Sequence, residues 1–446
     1  MLVVLSMLAA ACTGGTSEET EGDGDTTTSL GETEGDGETT TSLGETADTG
    51  DPEGPDEPIV LGALYPLTGP LAAFGVQQTN GLQIAVDFVN EAGGVNGRPI
   101  ELTFVDATSS DEAVSGAERL VEQDVPLIFG TASSGFSLAA SPVAERAGVV
   151  YVETGALNHA LVERGFQWYF RTRADNETYS AAAVEATAEV IAEALGKPIE
   201  DMTSVVLHED GPFGTEFREF MPAAIDAAGL GGPEVLSVDG YSIADTQDFT
   251  SIISKYKELQ PDVIYWGAFA PDSILFWRQS QQQDYTPPSV IAFTSGPGTP
   301  DFLEAFGPEG TNGVLVLDTP LVTDSIGGAD PEAAQVFERF TEEYASTFPD
   351  DPLTGNAIVG FIGGWAVLNE VLPLASEMTP EGIQEALRSV DLPAGSLPNG
   401  WGLNFNDNGQ NEGAFPALHE WTDGVLVPVW PDSVASGEVQ FLPISR

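Results

Sequence analysis

The stretch Gly130–Ser141, GTASSGFSLAAS, follows the apolar run VPLIF (Val125–Phe129) and leads into small residues at helical spacing. A strand that hands over to a helix through such a turn offers backbone N–H groups and the positive end of a helix dipole. Three uses are open to it. It can hold an anion, it can present a nucleophilic serine, or it can cap the helix, which is the commonest use of Ser at that place. The rest of the chain has to decide between them.

Outward from the turn, strand and helix signals alternate. IVLGAL (Ile59–Leu64) reads as a buried strand. From Phe74 to Ala92 the residues Leu82, Ala85, Val86 and Val89 form one apolar helix face, closed by Gly93 and Gly94. PIELTFV (Pro99–Val105) alternates with period two, a helix lies near Asp111–Gln123, and VVYV (Val149–Val152) follows the helix that the turn opens. A second series begins after YFRTR (Tyr169–Arg173). It has a helix from about Asn176 to Leu195 and strands at Thr203–His208, Glu234–Gly240, Asp262–Ala268 and Ser289–Phe293, with helical segments between them. Alternation of this kind predicts an α/β fold with parallel sheets covered on both faces, and two series predict two lobes. In open α/β sheets, ligands bind beyond the carboxyl ends of the strands. The turn lies at such an end.

The composition bounds the partners. The chain has 446 residues, 70 acidic against 14 basic, and a formal net charge of −56. Nucleic acid and anionic lipid are bound by neutralising phosphate with Lys or Arg, so neither is a partner of this surface. Solubility in salt or at a cell exterior accounts for it better. The start, MLVVLSMLAAACTGG, is an apolar run ending in small residues and Cys12, too short to span a bilayer and patterned as an export signal. Ala-Ala-Cys resembles a lipobox, in which the Cys is acylated; it departs from that pattern at Ala9 and in having no basic residue before the run. Cys12 is the one cysteine, so the folded part has neither a disulfide nor a thiolate metal site. Thr13 to Pro58 carries a near-perfect thirteen-residue repeat, TEGDGDTTTSLGE then TEGDGETTTSLGE. It cannot bury enough apolar surface to order itself and reads as an extended acidic tether.

Signatures of catalysis are weak. The three histidines, His159, His208 and His419, stand apart, with no pair at metal-ligand spacing. GTASSG does not match the G-x-S-x-G elbow, no P-loop is present, and GPGTPD departs from the dinucleotide fingerprint. A hydrolase using Ser134 with a distant His stays as the least favoured reading, and no cofactor or metal is expected.

Several stretches, in order, resemble the leucine/isoleucine/valine-binding family, the type I periplasmic binding proteins of ABC importers. They are LGALYPLTGPLAAFG, NEAGGVNGRPIELTFVDATSSDEAV, the long run from FGTASSGFSLAAS to YFRT, DGPFGTEF, DTQDFTSIISKYKELQPDVIYWG and GLNFNDNGQ. The resemblance implies two Rossmann-like lobes joined by three crossing strands near Arg171, Asp318 and Gly395. It divides the chain into a signal segment (1–12), a tether (13–58), a first lobe (59–172 and 319–394) and a second lobe (173–318 and 395–446). In the family, a turn Ser and the loop after the next strand hold the ligand carboxylate, a Glu holds the ammonium, and two tyrosines close the cleft. Carried over, the turn Ser is Ser134, with Gly135 beside it, and the loop is Gly155 to Leu157, where Leu157 replaces a Thr. Phe213 and Phe269 stand at the tyrosine positions, Phe74 forms the first-lobe wall, and the Glu position falls on Ser295. The ammonium partners are therefore missing, unless Asp210, Glu209, Asp272 or Glu153 supplies a carboxylate from elsewhere. A small amino-acid-like, amide or carboxylate ligand follows from the resemblance. So do an ABC permease as partner, a monomeric state and an extracytoplasmic, lipid-anchored location. The alternative is a sensor of the same fold that signals to a membrane receptor.

If Cys12 carries the anchor, the protein partitions with membranes and Cys12→Ser releases it; one acyl chain holds only marginally, so two or more chains are expected to supply the binding energy. Fractionation of the two forms decides this; an unaltered protein found wholly in the medium removes the anchor.

Overall fold

The computed structural model describes residues 57–243, 245–246, 248–294, 296–321 and 330–445. Cys12, nearly all of the acidic tether and Ser295 lie outside them. The first sheet contains β1 (Ile59–Tyr65), β2 (Ile100–Asp106), β3 (Leu127–Gly130), β4 (Val150–Glu153) and β5 (Tyr169–Arg171). Its order is β2-β1-β3-β4-β5, and every pairing is parallel. β3 and β4 are buried at every position, as strands with helices on both faces must be.

The second sheet contains β6 (Thr203–Glu209), β7 (Glu234–Tyr241), β8 (Val263–Gly267), β9 (Ser289–Phe293) and β10 (Leu315–Asp318). A short pair, β11 (Asp391–Leu392) with β12 (Leu403–Asn404), stands apart from both large sheets, and β13 (Ala417–Thr422) and β14 (Val425–Trp430) complete the second one. The order is β14-β13-β10-β9-β8-β6-β7. Five of these strands are parallel, but β13 runs antiparallel to β10 and β14 antiparallel to β13. The second sheet is therefore mixed, where strand-helix alternation predicts a parallel one. Asp423 and Gly424, both at positive φ, make the tight turn that lets β14 fold back on β13 without a crossover helix.

The chain passes between the sheets after β5, after β10 and before β13. The third passage lies further along than Gly395, because β12 still pairs with β11 and the Phe405 ring meets Phe170 at 5.3 Å. The first and third passages run side by side. Arg171 N–H donates to Gly409 O at 2.8 Å, and Asn411 N–H donates to Arg171 O at 3.0 Å. The Arg171 guanidinium is fully buried and donates to Asn158 O, to Gln410 Oε1 and to Asp175 Oδ2. It fastens the passages to each other through both backbone and side chain.

The first lobe is completed from a distant part of the chain. The helix Ala72–Glu91 packs along the helix Gly355–Trp365. A Cβ at Gly81 would lie 2.0 Å from Ala357 O, and one at Gly360 would lie 2.1 Å from Gln78 O. The two backbones touch because neither glycine has a side chain. The apolar stretch Gly355–Leu374 is long enough to cross a membrane by length and composition, yet 72% of its window is buried inside the lobe. It is a core element of that lobe.

Gly81→Val forces the helices apart. Overpacking of a close-packed contact costs about 1–3 kcal/mol. Urea denaturation checks this, and a loss below about 0.5 kcal/mol would show that the contact yields without strain.

Candidate functional site

The site grows from the turn after β3. Ser133 takes the N-cap position of the helix Ser134–Ala147 in extended conformation, but its side chain makes no capping bond. Ser134 is 5% exposed, and its Oγ accepts the Asn158 N–H at 3.3 Å. The first amides of the turn are already committed. Glu153, fully buried at the end of β4, accepts the Thr131 N–H at 2.7 Å and the Ala132 N–H at 3.2 Å. The same carboxylate accepts the Gly155 and Ala156 N–H groups at 2.8 and 2.9 Å. Burial pushes the Glu153 carboxyl above its ordinary value, while the amides of Ala156, Gly155 and Thr131 pull the other way. So part of the anion-holding capacity of the turn serves an internal anion. What remains for a ligand is the serine hydroxyls and the N–H groups of the first helical turn, which have no intrahelical acceptor.

The turn faces a narrow cavity between the lobes with room of about 30 Å³, little more than one water, so a small-molecule ligand needs the walls to part. Phe74 enters it from the first lobe, and Phe213 and Phe269 from the second. The Phe74 and Phe269 rings meet edge to face at 5.6 Å, and Phe213 and Phe269 at 5.4 Å. Beside them the lobes are bonded directly: Asn158 Nδ2 donates to Pro212 O at 2.6 Å, and the His159 N–H to Glu216 Oε2 at 2.8 Å. The cavity is closed by its own walls.

Of the residues singled out from sequence, Phe74, Ser134, Gly155, Leu157, Phe213 and Phe269 line this one cavity. Gly135 lines an adjoining pocket with Glu209 and Asp272. Ser295 is not described, though its neighbour Thr294 is in the lining. None of the four carboxylates considered as an ammonium partner is in the lining. Glu153 is bound to amides, Glu209 accepts the Gly211 and Gly214 N–H groups, and Asp210 is exposed. Asp272 accepts the Phe269 N–H at 3.1 Å and the Tyr241 hydroxyl. Sequence reasoning missed Arg173 and Asn356, both in the lining. Arg173 is 3% exposed; its one signal is a basic residue just past a strand end in a chain that has few.

The family model of the periplasmic binding proteins matches residues 58–419. Two curated relatives are similar over 384 residues, 86% of this chain. The Leu/Ile/Val-binding protein homolog 8 of Brucella abortus (strain 2308) is 32% identical, with 93% of its length covered. The Leu/Ile/Val-binding protein homolog 7 of Brucella suis is also 32% identical, with 94% covered. Among solved structures, the branched-chain amino acid transporter substrate binding protein LivJ of Streptococcus pneumoniae, in complex with isoleucine, superposes with a TM-score of 0.70 at 19% identity. That match covers 84% of this chain and all of the other. The leucine binding protein LivK of Thermotoga maritima gives 0.69 at 22% identity, covering 83% and 98%. The chain belongs to the periplasmic binding protein family, with the type I fold, and this is a family of substrate-binding proteins rather than enzymes. Membership carries an extracytoplasmic location with it.

Burial raises the Asp272 carboxyl from 3.8 to about 6, against the Tyr241 hydroxyl and the Phe269 amide. A carboxyl raised on folding favours the folded state below its unfolded value, and that contribution is lost as pH climbs from about 4 to about 6. Relative to the unaltered protein, Asp272→Asn therefore gains stability over that window, on the order of 3 kcal/mol at about 1.4 kcal/mol per unit. Paired melts from pH 4 to 7.5 measure it. A difference independent of pH would mean that Asp272 stays ionised throughout.

Proposed function

We propose that the protein is the ligand receptor of an ABC importer, held at the outer side of the membrane through Cys12 and the acidic tether. It binds a small amino-acid-like, amide or carboxylate ligand by closing its lobes. The observation that carries the reading is the cavity itself. Both lobes line it, a buried serine at a helix N-terminus stands at one side and three phenylalanines at another. An occupant would touch Ser134 and Gly155 of the first lobe and Phe213 and Phe269 of the second. It would stabilise the closed arrangement by its contacts to both. The relatives support the class, since they are Leu/Ile/Val-binding homologues, and so does the neighbour solved with isoleucine. In this role Ser134 and Gly135 meet the polar end of the ligand, the phenylalanines and Leu157 its apolar body.

A thermal-shift screen over amino acids, their amides and the corresponding acids finds the ligand, because binding to the native state alone raises the melting temperature. With the hit in hand, small-angle scattering shows a smaller radius of gyration at saturation. Phe213→Ala weakens binding by tenfold or more, the cost of about 1.4 kcal/mol of lost apolar contact. A scattering profile unchanged by saturating ligand excludes closure, and full affinity in Phe213→Ala excludes this cavity.

A further inference from the structure

The ligand-sized part of the cleft adjoins the narrow cavity. It has room of about 340 Å³ and shares Phe74, Ser133, Ser134, Phe213 and Phe269 with its neighbour, which places it in the range of small-molecule sites. Its first-lobe side includes the N-terminus of the helix Ser134–Ala147. Its second-lobe side includes two loops, and each brings one carboxylate and one ring: Glu209 with Phe213 after β6, and Asp272 with Phe269 after β8.

Both carboxylates are buried, Glu209 at 2% exposure and Asp272 at 7%. The ion pairs among the described residues join other carboxylates, and none reaches Glu209 or Asp272. No Lys, Arg or His is among the described residues lining this part of the cleft. Burial pushes the Glu209 carboxyl up against the Gly214 and Gly211 amides, and the charge of Asp272 adds to the push. Two negative groups in one dry wall, with no cation of the chain to offset them, cost the fold stability. Perturbed carboxyls kept at such a cost collect at functional sites.

The chemistry of a partner is constrained. An ionised carboxylate only accepts, and it has about four lone-pair sites. The Gly211 and Gly214 amides take two of those on Glu209, and the Phe269 amide and the Tyr241 hydroxyl occupy part of Asp272. What remains calls for a donor, and a positive donor restores the charge balance that the chain leaves open. The rings of Phe213 and Phe269 suit the same partner, because the face of a phenyl ring attracts cations. A carboxylate brought to this side would meet two like charges.

We propose that the ligand is an amine whose cationic nitrogen lies at the second-lobe side of the cleft, held by Asp272 with Glu209 beside it and flanked by Phe213 and Phe269. The inference rests on the reading of the cleft as the ligand site and narrows it, since an acid or amide without an amine becomes a poor ligand. The negative charge comes from the loops after β6 and β8, not from the position of Ser295.

The test uses leucine, 3-methylbutylamine and 4-methylpentanoate, which share one isobutyl body. Calorimetry on the full chain at pH 7 is expected to give both amines at least tenfold tighter binding than the acid, about 1.4 kcal/mol. Asp272→Asn, which removes a buried charge, folds and should lose tenfold or more for leucine. A role in the loop alone leaves no pH signature, whereas binding by an ionised Asp272 does. Leucine affinity of the unaltered protein should fall about tenfold from pH 7 to pH 5, as a group that titrates at about 6 takes up its proton. The fall should be absent in Asp272→Asn. Binding of the acid as tightly as leucine overturns the cation. Undiminished leucine binding by Asp272→Asn, or one pH profile for both proteins, overturns the role of Asp272. If none of the three probes binds, the hit of the wider screen decides. A hit that carries a cationic nitrogen and is weakened by Asp272→Asn supports the inference. A hit weakened by Phe213→Ala but carrying no such nitrogen overturns the inference alone, whereas one indifferent to Phe213→Ala removes the reading of the cleft.

Discussion

Four backbone N–H groups from two loops converge on one buried carboxylate, and the cleft side of the first lobe is built around it. Glu153 ends β4, yet it bonds Thr131 and Ala132 in the turn after β3 as well as Gly155 and Ala156 in its own loop. Neither loop could keep those amides buried without an acceptor, and a side chain without charge would satisfy fewer of them. The carboxylate thus fixes the mutual placement of Ser134 and Gly155, which face the same cavity. Breaking a buried interaction of this kind from one side strands its partners and costs far more than the net worth of the bonds. The geometry of the site is therefore set inside the first lobe, before any contact from the second.

The second lobe brings apolar surface and a means of moving. Phe213 and Phe269 come from loops after β6 and β8, at the carboxyl edge of the parallel part of the sheet. The lobes are joined by passages that run together, with Arg171 bonded to Gln410 and Asn411 bonded to the Thr172 carbonyl. Paired passages resist twisting more than a single linker does, yet leave bending open. This suits a fold whose two halves must meet over a small molecule and release it.

How much of this was legible in the sequence depended on the residue. The strands and helices from Ile59 to Phe293 were readable because alternation and helical spacing are local. β13 and β14 were not, because ALHEWT and VLVPVW carry no sign of the neighbour against which they lie antiparallel. Phe74, Phe213 and Phe269 each read equally well as ordinary core, and only their meeting in space distinguishes them. Glu153 was considered as a partner for a ligand; its binding to four amides depends on two loops that are twenty residues apart. The arginines make the point most sharply. In YFRTR both are basic residues leaving a strand, and nothing in the letters says that one fastens the passages and the other lines a cavity.

The contact between the helices Ala72–Glu91 and Gly355–Trp365 also has a temporal side. A chain made from its N-terminus exposes the first helix long before its partner exists, with some 260 residues still to come. The apolar faces of Leu82, Ala85 and Val86 have no permanent cover in that interval, whereas most of the second lobe, Asn176–Asp318, follows as one continuous run. Contacts this far apart in sequence form late because the loop between them must first be closed. The early lobe thus gets its last core helix only after most of the later lobe has been made. For a protein whose place is outside the cytoplasm, that delay leaves the leading part of the chain without its core partner until most of its length has been made.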